Sequence, residues 1–487
     1  MASHPTTTAQ SPMLKGADEA SRLHLIASIP FLALGALLII GSLFAMVFPA
    51  ALPLVYGRIR SLGMAALMLG WLTNVLVGGA YYALPRLTGA RLGSERLARV
   101  GFLGLNGATA AGMVLVAIGL GDGREPFAFP WYGDILVFGA LSLPALVMLL
   151  TLRHREEKTT FPTIWFVGAG LGILPLSYVV GNIPGLGTIP STLGDLHFTG
   201  TFPTSVMLTL GVGLMYFAVV RKFDLPLASR SLASVGVWSF VVASGWIGIA
   251  TQAQGPFPGW LAGITALLGF ALPIGMLATA VNLVSTVGKD IEKIRDEPIA
   301  LTAMAGISLG LVVTSFAAFG SLRSAATLVG LTPYWEGIII GLLLGVGSLL
   351  VASFTYEAYP NVMGREVASK SLARSHVRFT VIGIGGAVIS MVIAGLATGF
   401  SWSGGGFTSA FQPFGEGWAQ ATASGRLFTG IALLFSLVGL VGIEALALNQ
   451  FQTITQGHAV SQEVLVIKTT EDEQEPDEAD AEDDGDE

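Results

Sequence analysis

Long apolar runs recur along nearly the whole chain, and they limit what it can fold into. Hydrophobic residues make up 52% of the 487 residues and charged residues only 12%, which is too apolar for a soluble domain. Each run approaches the roughly 20 residues that a helix needs to cross a hydrocarbon layer of about 30 Å. We predict twelve such spans, at 26–48, 64–84, 100–119, 134–151, 164–183, 200–220, 232–252, 260–284, 300–320, 337–358, 377–398 and 427–448. Because backbone groups in lipid must bond within their own segment, the sequence predicts an all-α, polytopic membrane protein.

The basic residues are distributed unevenly between the two sides of these spans. Of the 25 Lys and Arg residues, all but five fall on the same side as the N-terminus. The exceptions are Arg58, Arg60, Arg124, Arg323 and Arg426. Since basic connections remain on the cytoplasmic side, both termini are predicted to be cytoplasmic.

The composition also defines three regions and excludes several kinds of site. We predict a flexible leader at 1–24, a membrane domain at 25–455 and a disordered tail at 456–487, whose end is mostly Asp and Glu. The chain has no cysteine, so it forms no disulfide, thiolate zinc site or cysteine-ligated iron–sulfur cluster. A net charge of −7 gives no support for nucleic-acid binding.

Four sequence blocks carry a family resemblance. They are Tyr56-Gly57-Arg58-Ile59-Arg60, with Asn74 and Tyr81-Tyr82 after it; Trp131-Tyr132-Gly133-Asp134-Ile135-Leu136; Leu214-Met215-Tyr216-Phe217 through Trp238 and Trp246 to Trp260; and Trp335 through Gly345 and Tyr356 to Pro360. Their ungapped succession resembles subunit I of the haem–copper oxidases, in particular the C-family (cbb-type) cytochrome c oxidase catalytic subunit. The resemblance extends over residues 25–455 and implies a twelve-helix bundle in a prokaryotic plasma membrane.

The resemblance also implies where cofactors would be held. In the family, histidines on spans two and ten hold a low-spin haem, a second span-ten histidine holds a high-spin haem, and three histidines on spans six and seven hold copper. The blocks place these six positions at Gly63, Gly200, Ala250, Thr251, Ile338 and Ile340, and a family tyrosine on span seven at Ser244. None of these residues offers the imidazole nitrogen that such iron and copper sites use. We therefore predict no haem, no copper and no catalytic residue, with aliphatic side chains filling the former cofactor space.

His197 is the one histidine that comes near a predicted ligand position. It precedes Gly200 by three residues, which is about one helical turn or 5 Å. A metal role is the alternative to a hydrogen-bonded histidine at the membrane interface. His4, His24, His154, His376 and His458 are interpreted as surface residues.

Glu444 is the carboxylate that lies deepest in a predicted span. An ionisable side chain within a membrane marks a proton or ion path, or else makes a structural hydrogen bond. By contrast, Glu357 is interpreted as interfacial, and Asp195 and Glu336 as loop residues on the outer face.

Three functions remain open from the sequence. The first is a non-catalytic membrane subunit or scaffold of a respiratory electron-transfer assembly, with cupredoxin-like or cytochrome c-like partner subunits. The second is an enzyme, a divergent terminal oxidase or nitric oxide reductase core whose haem and copper have unusual ligands. The third is a transporter built on the same bundle, which depends mainly on Glu444.

Overall fold

The computed structural model describes residues 18–183, 187–252, 255, 257–404 and 414–459. Its long helices are α1 (Glu19–Val47), α2 (Tyr56–Thr88), α3 (Glu95–Ala117), α4 (Trp131–Arg153), α5 (Pro162–Gly181), α6 (Thr188–Phe223), α7 (Arg230–Val242), α8 (Gly259–Val287), α9 (Pro298–Ser321), α10 (Pro333–Met363), α11 (Lys370–Gly404) and α12 (Phe414–Gln456). Within the described residues, eleven of them are long and apolar enough to cross a membrane. Only α7 is shorter, so the bundle agrees with the twelve predicted spans.

The helices define two ends of the bundle. We call the end that carries the connections α1–α2, α3–α4, α5–α6 and α9–α10 the outer end, and the end that carries the N-terminus the inner end. Helix α1 begins at Glu19, so residues 19–24 of the predicted leader are helical, whereas 1–17 and most of the predicted tail lie outside the described residues.

Three helices form the centre of the bundle. The most apolar stretches of α2 and α6 are completely buried and that of α10 is 94% buried, against 33–56% for the other candidate spans. Each central helix contains π-helical turns, at Ala65–Thr73, Phe202–Val206 and Gly341–Gly347. Such turns occur frequently at functional sites. Here they begin one or two residues after the predicted ligand positions Gly63, Gly200 and Ile340.

The seventh span is broken. Helix α7 ends at Val242, and the chain resumes as a five-residue helix, Trp246–Ala250. Gly245 lies between them with φ +76°, a left-handed conformation that glycine adopts without steric cost. The break separates the predicted tyrosine position, Ser244, from the predicted copper pair, Ala250 and Thr251.

Two histidines interpreted as surface residues are in fact buried. His24 is 1% exposed, and its Nδ1 lies 2.8 Å from Asn74 Oδ1 on α2. His376 is fully buried, and its Nε2 lies 3.2 Å from Ser348 Oγ on α10. Both occur near the ends of spans, where a histidine often faces water. They are buried because neighbouring helices cover them, which the sequence does not reveal.

Candidate functional site

The predicted low-spin haem position on α2 is closed by helix α1. Gly63 is buried, and a Cβ atom at this residue would lie 2.8 Å from Ile39 Cδ1 and 3.0 Å from the Ile39 backbone nitrogen. The second distance is to backbone, which cannot move aside as a flexible side chain can. A larger side chain at residue 63 would require Ile39 and the α1 backbone beside it to shift.

The predicted copper positions are closed in a similar way. A Cβ atom at Gly200 on α6 would lie 2.8 Å from Gly248 Cα, so α6 lies directly on the short helix Trp246–Ala250. Ala250 is buried, and the Thr251 hydroxyl donates a 2.7 Å hydrogen bond to the Gly248 carbonyl. Of the side chains at Gly200, Ala250 and Thr251, only that of Thr251 carries an oxygen, and this hydroxyl is already hydrogen-bonded to the backbone.

The two span-ten positions belong to the apolar core. Ile338 and Ile340 are 1% and 2% exposed and lie in the same hydrophobic cluster. Their side chains have no lone pair with which to bind iron. Among the described residues, no group of three or more His, Asp or Glu side chains could hold a metal ion. The residues present thus do not fit the two haems and the copper that the family resemblance implies.

His197 lies on α6 beside the break in the seventh span. Its half-exposed imidazole packs against Gly245, where a Cβ atom would come within 2.8 Å of the imidazole Cγ. The histidine therefore fills the notch that the left-handed turn leaves. Within the part of the chain that the structure describes, it belongs to no group of three or more His, Asp or Glu side chains that could hold a metal ion, and the metal role considered for it stays a prediction.

A cavity of about 1140 Å³ opens at the outer end of the bundle, and no sequence pattern predicted it. Gly200, Thr251 and Ile338 contribute to its walls, so it reaches three of the six predicted ligand positions. The walls also carry seven charged residues: Arg60, Asp122, Arg124, Glu125, Asp195, Glu336 and Arg426. All seven come from α2, α6, α10, α12 and the α3–α4 connection.

Arg60 connects three of these elements. Its Nε donates to the Glu336 carboxylate at 3.0 Å, and its Nη1 donates to Glu125 Oε2 at 2.8 Å. The interpretation of Glu336 as a loop residue was wrong, because it lies in the first turn of α10 and is only 8% exposed. An acidic residue is favourable at a helix N-terminus, and here it also neutralises a buried guanidinium.

The α3–α4 connection is fixed to α6 by a second arginine. Arg124 Nη2 donates to Asp195 Oδ1 and to the Gly181 carbonyl, both at 2.8 Å. Asp195 therefore lies within α6 rather than in the predicted loop. In the same connection, partial burial raises the pKa of the Asp122 carboxyl, and Phe127 packs against Phe198 with a centroid distance of 5.6 Å. These contacts make the connection a fixed wall of the cavity.

A second polar cluster lies near the inner end. Glu357 on α10 was interpreted as interfacial, but it is 5% exposed. Its Oε1 accepts hydrogen bonds from Tyr82 Oη at 2.8 Å, Arg221 Nε at 3.0 Å and Asn361 Nδ2 at 3.1 Å. One carboxylate thus connects the three central helices α2, α6 and α10. A sequence pattern could not show this, because Tyr82 and Arg221 come from distant parts of the chain.

Glu444 on α12 does not belong to either cluster. It is half-buried, and its Oε1 has no hydrogen-bond partner among the described residues. No line of titratable groups leads from it to the outer cavity or to Glu357 among the hydrogen bonds of the described chain. The proton path predicted at this residue stays a prediction.

Comparison with known proteins identifies the family. The family described as cytochrome c and quinol oxidase polypeptide I matches residues 20–434. The chain belongs to this family. Among its relatives, the cbb3-type cytochrome c oxidase subunit CcoN1 of Stutzerimonas stutzeri is 23% identical over 362 residues, covering 71% of this chain and 76% of the relative. Cytochrome c oxidase subunit 1 of Rhodobacter capsulatus is 22% identical over 361 residues, covering 71% and 68%.

The fold agrees with this family membership. A chain from the cryo-EM structure of a heme-copper terminal oxidase dimer superimposes with a TM-score of 0.73. The match covers 92% of this chain and 86% of the other, at 14% sequence identity. The predicted resemblance to haem–copper oxidase subunit I and the predicted helical membrane bundle are therefore confirmed.

Proposed function

We propose that this member of the oxidase subunit I family binds neither haem nor copper and acts as a non-catalytic membrane subunit. In this role it forms part of a respiratory electron-transfer assembly in the prokaryotic plasma membrane, with both termini in the cytoplasm. Its partners are other membrane subunits, including cupredoxin-like or cytochrome c-like proteins. In this proposal the chain is a pseudoenzyme, which keeps the bundle without the redox chemistry.

One observation carries the proposal. The predicted ligand positions lack imidazole, and at Gly63 and Gly200 the neighbouring helices lie too close for a larger side chain to enter without a shift. A single histidine at Gly63 or Gly200 is not expected to restore a site, because its Cβ atom would displace Ile39 in the first case and the backbone of Gly248 in the second. The absence of ligands and the closure of the helices support the same function independently.

A pigment and metal assay tests the proposal. The full-length protein, purified in a mild detergent, is expected to show no Soret absorbance, no pyridine haemochrome and no stoichiometric copper. A heme-copper terminal oxidase taken through the same steps serves as the positive control. One or more haems per chain would refute the proposed function and favour the divergent oxidase instead.

The assembly role needs a separate measurement. Affinity purification from membranes under mild conditions is expected to recover the chain with respiratory subunits, identified by mass spectrometry. A second membrane protein of similar size from the same cells, purified with the same tag, is the control. Recovery of the chain without a stoichiometric amount of any respiratory subunit would contradict a scaffold role.

A further inference from the structure

The charges around the outer cavity are not equally neutralised. Arg60 is paired with Glu125 and Glu336, and Arg124 is paired with Asp195. The third arginine of the cavity wall, Arg426, makes no ion pair or side-chain hydrogen bond among the described residues. It is exposed, so its guanidinium remains available to a ligand.

Arg426 lies on a face of α12 that is otherwise rich in hydroxyl groups. The cavity-lining residues of α12 are Thr422, Ala423, Arg426 and Thr429, a spacing of three to four that places them on one side of the helix. Thr398 of α11 also contributes to the wall, is 1% exposed, and its Oγ1 has no partner among the described residues. A buried hydroxyl without a partner costs free energy, which a ligand oxygen could recover.

Part of the cavity wall is apolar. Ile338, Ile339 and Leu342 of α10, Leu196 of α6 and Met46 of α1 contribute to its walls. A volume of about 1140 Å³ is slightly above the usual range of small-molecule sites, which is about 300–1,000 Å³. The space suits a ligand with a sizeable hydrocarbon part.

We propose that the outer cavity binds an amphiphile with an anionic head, a carboxylate or a phosphate, whose oxygens bind Arg426 and Thr398 while its hydrocarbon part contacts Ile338, Ile339 and Leu342. Charge-assisted hydrogen bonds from arginine favour such oxyanions over neutral heads. Arg60 and Arg124 already bind carboxylates, so among the described residues Arg426 is the wall arginine left to bind the head. The site lies against the predicted ligand position Ile338, so this inference rests on the proposed loss of haem and copper.

The test uses the fact that the chain has no cysteine. Ile339→Cys introduces the only thiol, at a half-buried position of the cavity wall. The full-length variant in a neutral detergent is labelled with a maleimide, alone or with oleate, 1-oleoyl lysophosphatidate or 1-oleoylglycerol. These probes share one hydrocarbon chain and differ in the head. Ala51→Cys, exposed in the α1–α2 connection and outside the cavity, is the control for general effects on labelling.

Oleate or lysophosphatidate is expected to slow labelling at position 339 by about tenfold or more at saturation. The probe that reaches half of its full protection at the lower concentration identifies the preferred head as a carboxylate or a phosphate. The neutral 1-oleoylglycerol should change the rate less than about twofold. Adding Arg426→Gln should weaken the anionic probe by about tenfold or more, as expected for loss of a charge-assisted hydrogen bond. Arg323→Gln, an exposed arginine of the same end outside the cavity, should leave protection intact.

Four outcomes would overturn the proposal. They are equal protection by the neutral probe, protection that survives Arg426→Gln, no protection by either anion, and a thiol at 339 that does not react even without ligand. If Ile339→Cys does not fold, Thr251→Cys provides a second reporter on the cavity wall. A haem found in the pigment assay would refute the proposed function and this site with it, whereas failure of protection in a haem-free protein would refute this site alone.

Discussion

At the scale of single residues, the proposed loss of haem requires side chains such as Ile340 to fill the predicted haem positions on α10. This isoleucine is 2% exposed and lies within the main apolar cluster. A side chain in that position stabilises the bundle through contacts with its neighbours. It also leaves little room for a larger or polar group.

Two substitutions at this residue give the first stability prediction. Ile340→Ala should destabilise the protein by roughly 2–5 kcal/mol, because it leaves a cavity in a packed core. Ile340→His should cost on the order of 1–3 kcal/mol without restoring haem binding, because the imidazole would be buried without a partner. Thermal unfolding in detergent measures both, and Ile339→Ala, at the half-buried cavity wall, should cost less. Unchanged midpoints for both Ile340 variants would show that α10 faces open space here.

At the scale of helices, the Glu357 cluster holds α2, α6 and α10 together at the inner end. The side chain of Arg221 is 22% exposed and the side chain of Glu357 is 4% exposed, so the pair is mostly shielded from water. Removing one partner of such a pair leaves the other charge buried and uncompensated.

This arrangement predicts strong coupling between the two residues. Arg221→Met should destabilise the protein by roughly 1–3 kcal/mol, a value reduced for the partial exposure of the guanidinium. Glu357→Gln in the Arg221→Met background should recover part of that loss, because a neutral amide needs no counterion. Denaturation of the two single variants and the double variant completes the cycle. Lys370→Gln, in the exposed pair with Glu297, should change stability by about 0–1 kcal/mol. Additive effects of Arg221→Met and Glu357→Gln would contradict the coupling.

The limits of the sequence are also visible at the scale of helices. Hydrophobic runs predicted the spans, because length and apolarity are properties of a single segment. The break at Gly245 and the burial of His24 depend on contacts with other helices, and so did the pairing of Arg60 with Glu336. Arg60 belongs to the first sequence block, and its place at the mouth of a span was the one signal that could have pointed to the outer cavity. Its partners are separated from it by 65 and 276 residues, so no local pattern identifies them.

At the scale of the whole molecule, the two ends of the bundle differ in chemistry. At the inner end, the buried carboxylate of Glu357 connects the three central helices. At the outer end, the bundle opens into a cavity lined by charged residues, and helices pack tightly at Gly63 and Gly200. The outer cavity can receive a ligand from outside the cell only if the chain has the orientation predicted from its basic residues. The orientation is therefore a property that decides how the cavity can be used.

Cysteine accessibility in intact cells tests this orientation. Ala51→Cys and Ala228→Cys place single thiols at exposed positions of the α1–α2 and α6–α7 connections, at opposite ends of the bundle. A membrane-impermeant maleimide should label Ala51→Cys in intact cells, because the connection between α1 and α2 lies outside. Ala228→Cys should react only after permeabilisation, since most basic residues of the chain share its side and such connections stay in the cytoplasm. The cysteine-free parent chain measures background labelling. Labelling of Ala228→Cys but not Ala51→Cys in intact cells would show the opposite orientation, with the cavity open to the cytoplasm. Labelling of both would place the two connections on the same side of the membrane, which contradicts an even number of spans between the N-terminus and residue 228.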